Sequence, residues 1–155
     1  MSLFSMAELV PHSGDMVLLD EVISYGSEEI ETRVLVKAGG LFNQADGSYP
    51  AWLGVELMAQ SIAAFAGCHA RAAGKPVALG FLLGTRKFEC DVESFPLGTA
   101  LQITATRSLQ DDNGMAVFEC HLRGPGIYAT ARLNVFQPPN VNQFLQESGE
   151  AQQHV

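Results

Sequence analysis

The stretch PAWLGVELMAQSIAAFAGCHARAA, residues 50–73, is the part of the chain whose reading decides the fold. Pro50 suits a first helical turn, where its missing N–H has no intrahelical acceptor to lose. From Trp52 to Ala73 there is no proline, alanine recurs, and Gly74-Lys75-Pro76 supplies a stop. Apolar residues fall on almost every side of this helix, which predicts that it is wrapped on most sides. Its most apolar part, Ala51 to Cys68, carries Glu56 and Gln60 near the middle and has no flanking aromatic belt. Charge at that depth is costly in lipid, so the segment reads as a helix inside a soluble domain and not as a membrane span.

Strand signals lie on both sides of this helix. Met16 to Tyr25 is rich in strand formers and stops at Gly26, and Ile30 to Val36 alternates through Ile30, Thr32, Val34 and Val36. Residues 41–49 have the composition of a loop. Beyond the helix, Val77 to Phe88, Ala100 to Leu109, Met115 to Leu122 and Ile127 to Phe136 read as four more strands. Asp111-Asp112-Asn113-Gly114 is a hairpin turn between two of them. The lead-in, residues 1–14, contains a short helical turn before Pro11. Pro138-Pro139 closes the folded part, so residues 1–138 are expected to be one domain and 139–155 a polar tail. Two strands, one long helix and four strands imply an α+β domain whose antiparallel sheet curls around the helix and leaves an edge for a second copy.

Composition narrows the functions. With 155 residues, 47% hydrophobic and 17% charged, the chain can bury a core without staples, which excludes a disordered or fibrous protein. A net charge of −8 argues against a nucleic-acid surface. Cys68, Cys90 and Cys120 are scattered, with no C-x-x-C, and read as reduced thiols of a cytoplasmic protein. No targeting segment stands at the start. No spacing suggests a metal site or an organic cofactor, so none is expected.

Glu56 and Gln60 are four residues apart and so share a helix face, with Glu56 early enough for the helix dipole to favour its charge. Ala63, Ala64 and Gly67 follow, a small-residue track that suits a narrow acyl tunnel. The plainer reading has Glu56 capping backbone donors and Gln60 bonding a neighbouring strand.

The helix start, PAWLGVELMAQ at 50–60, resembles the P-G-x-L-x-x-[ED]-A-M-x-Q segment of hot-dog-fold 3-hydroxyacyl-[acyl-carrier-protein] dehydratases. Upstream, PHSGDMVLLDEV at 11–22 resembles their P-H-x-x-P-x-L-L-x-D-R-V. Downstream, GTRKF at 84–88 and FPLG at 95–98 resemble K-x-R-F…P-V-x-P-G-D. The agreement spans residues 9–137 and is closest to a branch associated with aryl-polyene and related fatty-acid clusters. It implies a hot-dog fold, a long helix inside a curved antiparallel sheet.

In that chemistry a histidine removes the proton alpha to the thioester carbonyl and an acid helps the 3-hydroxyl leave as water, each contributing a factor of about 10²–10⁴. A backbone N–H at the helix start holds the thioester oxygen. By resemblance the acid is Glu56 with Gln60 beside it, the N–H is that of Ala51, and Trp52 lies in the same binding region. The family histidine stands fourteen residues before the acid; here that position is Phe42, and no histidine lies between His12 and His69. His12 is then the candidate replacement base, against an ordinary loop role. His69, thirteen residues from Glu56, is about 20 Å away along a helix. His121 reads as satisfied at the surface or in the core, and His154 is in the tail.

Tyr49 is a candidate donor to the thioester, and Asp46 a candidate acid or base, though Asp46-Gly47 reads first as a turn. Arg86 and Lys87 are candidates for the phosphate of a phosphopantetheine arm, or a solvated strand end. Cys68 reads as a small hydrophobe.

Three functions follow. The first is a 3-hydroxyacyl-thioester dehydratase of fatty-acid or polyene biosynthesis that uses Glu56 with an altered base. The second is an acyl thioesterase using Glu56 alone, and the third a non-catalytic acyl-binding partner of a homologous active subunit. All three take an acyl-carrier-protein or coenzyme A thioester. The resemblance implies a homodimer or a larger assembly of dimers.

Overall fold

The computed structural model describes residues 17–75 and 81–137. The lead-in, His12, residues 77–80 of the third expected strand, Pro138-Pro139 and the expected tail lie outside the described residues. In chain order the elements are β1 (Glu21–Tyr25), β2 (Glu29–Leu35), β3 (Tyr49–Pro50), α1 (Leu53–Ala72), β4 (Phe81–Cys90), β5 (Ser94–Phe95), β6 (Ala100–Gln110), β7 (Met115–Gly124) and β8 (Ile127–Phe136).

The periodicity that marked the strands is the burial pattern observed. Ile30, Thr32 and Val34 of β2 are buried and their neighbours exposed or half-buried. Leu101, Ile103 and Ala105 of β6, Phe118, Cys120 and Leu122 of β7, and Ala129, Ala131 and Leu133 of β8 continue one apolar face. That face meets Leu53, Leu57, Met58, Ile62, Ala64, Phe65 and Cys68 of α1. Six strands form one antiparallel sheet in the order β1-β2-β6-β7-β8-β4. The strand after the helix therefore does not form a hairpin with the next long strand. β4 crosses to pair with β8, while β2 takes β6.

The helix departs from its expected bounds at the start. Pro50 lies in a two-residue ladder, paired with Ser94 as Tyr49 is with Phe95, and α1 begins after the turn at Ala51-Trp52. Short ladders of this kind carry no hydrophobic period, so the sequence does not announce them. The C-terminal end closes as a Schellman motif: Gly74, at φ +69°, donates to Arg71 O at 3.0 Å, and Lys75 N donates to Ala70 O at 2.8 Å. Among the described residues the sheet covers one side of the helix. Val55, Glu56, Ala59, Ala63 and Ala66 are half-buried, forming an open stripe, because a single sheet reaches only the face turned towards it.

β1 is also shorter than the expected strand. Residues 17–20 precede the strand: Asp20 N still donates to Arg33 O at 2.9 Å, its carboxylate accepts from Leu35 N at 2.6 Å and ion-pairs with Lys37, and Leu18 N donates to the Gln60 side chain. The hairpin at 111–114 forms as expected. Asp111 Oδ1 accepts from Asn113 N and Met115 N, both at 2.9 Å, and Gly114 takes φ +97°. A Cβ at that glycine would stand 2.1 Å from Gln137 O.

Candidate active site

The first turn of α1 tightens to satisfy donors a helix start would leave open: Gly54 N donates to Ala51 O at 2.9 Å and Val55 N to Trp52 O at 3.1 Å. Trp52 is the N-cap residue and its side chain caps nothing. The N–H of Ala51, the oxyanion donor implied by the resemblance, donates to Glu93 O at 3.0 Å, so it is not open in this structure. Residues 91–94 bring that carbonyl in when β5 pairs with β3, a contact no local pattern encodes.

Glu56 sits in this first turn, half-buried. One helical turn on, Gln60 is fully buried, and its Nε2 donates to Glu56 Oε1 at 3.1 Å. Its Oε1 accepts from Leu18 N at 2.9 Å. A backbone N–H only donates, so Leu18 fixes which end of the amide faces the carboxylate. Gln60 thus holds Glu56 by an N–H and ties the helix to the segment entering β1. The plainer expectation for Gln60, a bond to a neighbouring segment, is met through Leu18, and the same side chain also bonds the Glu56 carboxylate.

Beside the helix start, Phe42 packs edge-on against Trp52, with ring centroids 6.0 Å apart. Trp52 is 59% exposed and Leu41 61%, so the aromatic pair forms an apolar rim. Asn43, which the sequence reading passed over, organises this loop. Its Nδ2 donates to Lys37 O at 2.8 Å and Gly47 O at 2.6 Å, and its Oδ1 accepts from Gly40 N at 2.7 Å. The signal was the Asn-Gln-Ala-Asp-Gly composition of residues 43–47, which marks a turn without saying which residue ties it. Asp46 is part of that turn: it accepts from Ser48 N and Oγ, which hold its carboxyl below the usual range.

Other expected site residues lie apart. Tyr49 is buried, and its hydroxyl accepts from Lys37 N at 3.5 Å inside the same loop. Arg86 is exposed on the edge strand β4, opposite Arg132, with Lys87 next to it at φ +53°. His69 belongs to the far end of α1, where Nε2 donates to Gly26 O at 2.8 Å and the ring packs against Tyr25 and Phe65. His121 bonds Tyr128 through Nδ1 at 2.9 Å. Among the described residues no histidine joins Glu56, and no three His, Cys, Asp or Glu side chains converge as a metal site would require. No helix among them is long and apolar enough to cross a membrane. Burial pushes the thiol of Cys68 up to about 11 and that of Cys120 up to about 12, which marks them as inert core groups.

Comparison with known proteins places this geometry. No curated protein matches the chain. The dehydratase heterocomplex ApeI:P from Xenorhabdus doucetiae superposes with a TM-score of 0.82 at 33% identity, over 92% of this chain and 96% of that one. The E. coli PaaI protein from the phenylacetic acid degradation operon matches with a TM-score of 0.56 at 14% identity, over 74% and 80% of the two chains. A hypothetical thioesterase from Streptococcus pneumoniae TIGR4 gives 0.56 at 14%, over 76% and 88%. The last two share the hot-dog fold alone. The model of the ApeP-like family, described as ApeP dehydratase, matches residues 4–146. By that match, together with the identity to the heterocomplex chain, the protein is a hot-dog member of the ApeP-like dehydratase family.

Proposed function

We propose that the chain is a subunit of a 3-hydroxyacyl-thioester dehydratase serving fatty-acid or polyene biosynthesis, with Glu56 as its acid. The observation that carries this reading is the carboxylate at the first turn of α1, oriented by an amide that a backbone N–H has locked. One carboxyl oxygen receives the amide N–H, and the other carries the catalytic proton. A base takes the proton alpha to the thioester carbonyl, and the C–H electron pair becomes the new double bond. The C3–O bond then breaks, and the leaving hydroxyl takes the proton from Glu56 as water. The apolar rim of Phe42 and Trp52 excludes water from the acyl chain entering along the half-buried stripe of α1.

The base has two sources in this reading. One is His12, outside the described residues. The other is a homologous subunit, favoured by the heterocomplex to which the chain is similar and by the aromatic residue at position 42. β4, an edge strand among the described residues, gives such a subunit a strand to add to.

The test uses 3-hydroxyacyl thioesters on carrier protein and on coenzyme A, with mass spectrometry scoring loss of water against loss of the acyl group. The chain is assayed alone and together with a homologous hot-dog dehydratase subunit. Water loss abolished by Glu56→Gln supports the reading, and a parallel loss with His12→Ala in the chain alone assigns the base to His12. Water loss that requires the second subunit assigns the base there. Release of free acid, or water loss unchanged by Glu56→Gln, overturns it.

A further inference from the structure

The N–H that the resemblance assigns to the thioester oxygen is held by the chain itself, since Ala51 N donates to Glu93 O at 3.0 Å. Tyr49 pairs with Phe95 and Pro50 with Ser94, so Ala51 and Glu93 stand at the next position of the same short ladder. Antiparallel positions alternate between bonded and non-bonded, and Pro50, which has no N–H, takes a non-bonded one. The Ala51 bond is thus the last rung of this ladder, at the start of the helix that carries Glu56.

The segment that supplies this carbonyl is lightly held. Residues 91–93 belong to no strand. Among the described residues Val92 makes no backbone bond, and Glu93 makes only the one to Ala51. Firm anchors stand on either side. Asp91 N donates to Tyr128 O at 3.1 Å, and Asp91 Oδ1 accepts from Tyr128 N at 2.9 Å. Phe95 is fully buried, with its Cζ 3.5 Å from where a Gly54 Cβ would stand. Left-handed backbone flanks the whole segment, at Lys87 (φ +53°), beside an irregularity in the β4–β8 register, and at Gly98 (φ +84°). Lys87 is the one non-glycine residue with positive φ among the described residues, and strain of this kind collects where a segment switches.

Releasing Glu93 O from Ala51 N breaks one hydrogen bond, which changes an equilibrium in water by about two- to tenfold. A thioester oxygen placed at the same N–H restores that bond, so displacement exchanges one neutral carbonyl acceptor for another. As the proton alpha to the carbonyl leaves, the thioester oxygen gains negative charge. A charged acceptor holds an N–H about twice as strongly as a neutral one, so the exchange tips towards the substrate as the reaction proceeds. When no ligand is bound, the Glu93 carbonyl keeps the donor satisfied.

We propose that residues 92–94 form a strap that shuts the helix start, with the Glu93 carbonyl holding the Ala51 N–H until an acyl thioester displaces it. This rests on the thioester reading of the Glu56 site and adds the contact that regulates entry to it. Glu93 acts through its backbone; its side chain is exposed, so a substitution there leaves the carbonyl in place.

The test locks the strap reversibly. Cα atoms of a bonded antiparallel pair lie about 5.5 Å apart, within disulfide range, so Ala51→Cys with Glu93→Cys forms a cross-link that keeps both backbones. Cys90→Ala removes the neighbouring half-buried thiol. Full-length chain with these changes, oxidised and then reduced, is titrated with S-octanoyl-N-acetylcysteamine, a thioester with no 3-hydroxyl to lose. Peptide mapping confirms the 51–93 cross-link, and melting temperatures confirm the fold. Oxidation is expected to weaken binding about tenfold, with recovery on reduction. In the otherwise unaltered chain, Asp91→Ala removes the acceptor of Tyr128 N and loosens the strap. Thioester binding then tightens about threefold, and the Ala51 amide exchanges with deuterium about threefold faster by NMR. Equal affinity in the oxidised and reduced forms, an Ala51 exchange rate unchanged by Asp91→Ala, or no thioester binding at millimolar concentration by the wild type overturns the strap. The readouts are binding and exchange, not turnover. Failure of dehydration with lock-dependent binding intact therefore refutes the function and leaves the strap, and dehydration by a chain whose binding ignores the lock refutes the strap alone.

Discussion

Replacing Gln60 by methionine keeps the length and most of the volume of a side chain that is fully buried, but removes the amide. Leu18 N then loses its acceptor, 2.9 Å away, and Glu56 Oε1 loses a donor at 3.1 Å. A half-buried N–H left unpaired costs about 1–2 kcal/mol, and the bond to the more accessible carboxylate adds about 0.5–1. Burying a thioether in place of an amide returns roughly 1 kcal/mol. The net loss is then about 0.5–2 kcal/mol, which for a chain of this size lowers Tm by about 2–6 °C. Thermal unfolding by circular dichroism, at fixed protein concentration because any assembly shifts Tm, measures this directly. Dehydration of a 3-hydroxyacyl thioester should fall more steeply than stability, since the carboxylate is no longer aimed. A Tm within 1 °C of wild type, with turnover retained, would refute the claim that Gln60 links Leu18 to Glu56.

Ser61 donates to Leu57 O at 2.8 Å, so at the buried 2.8 Å contact with Thr32 the threonine is the donor. Ser61→Ala should therefore cost about 1–3 kcal/mol in urea unfolding, whereas Thr32→Val together with Ser61→Ala should be less harmful than the single change. Gly114→Ala should lower stability by more than about 1 kcal/mol, since its backbone is left-handed and a Cβ meets Gln137 O; chemical denaturation with an unchanged midpoint would sink this. Cys90 is half-buried while Cys68 and Cys120 are buried with raised pKa, so a thiol reagent at pH 8 should label Cys90 first and the other two only on unfolding. Both buried thiols titrate higher when folded than their ordinary 9, so the stability they contribute is complete below about 9 and is lost as pH rises towards 11–12. A urea midpoint that stays level from pH 8 to 11 in the wild type, or falls equally in Cys68→Ala/Cys120→Ala, would contradict it.

The parts of this protein legible in the chain are those whose physics is local. Alternation at Ile30, Thr32 and Val34 set the inward face of β2. The proline-free run up to Gly74 set α1, and Asp111 to Gly114 set a turn from its own side-chain and backbone bonds. The spacing of Glu56 and Gln60 was enough to place them on one face. Even there the sequence overran. Pro50 looked like a helix start and lies in a ladder with Ser94, because a two-residue pairing leaves no periodic trace.

Tertiary structure alone decided what depends on segments far apart in the chain. It placed β4 beside β8, engaged the N–H of Ala51 with Glu93, and brought Leu18 to the amide of Gln60, 42 residues away. It also aligned Arg33, Gln102 and Arg123 in one row, through two independent strand registers. Periodicity says which way a side chain faces, but a register fixes which residue it faces. That choice follows from the packing of a whole sheet against one helix, which no window of sequence contains.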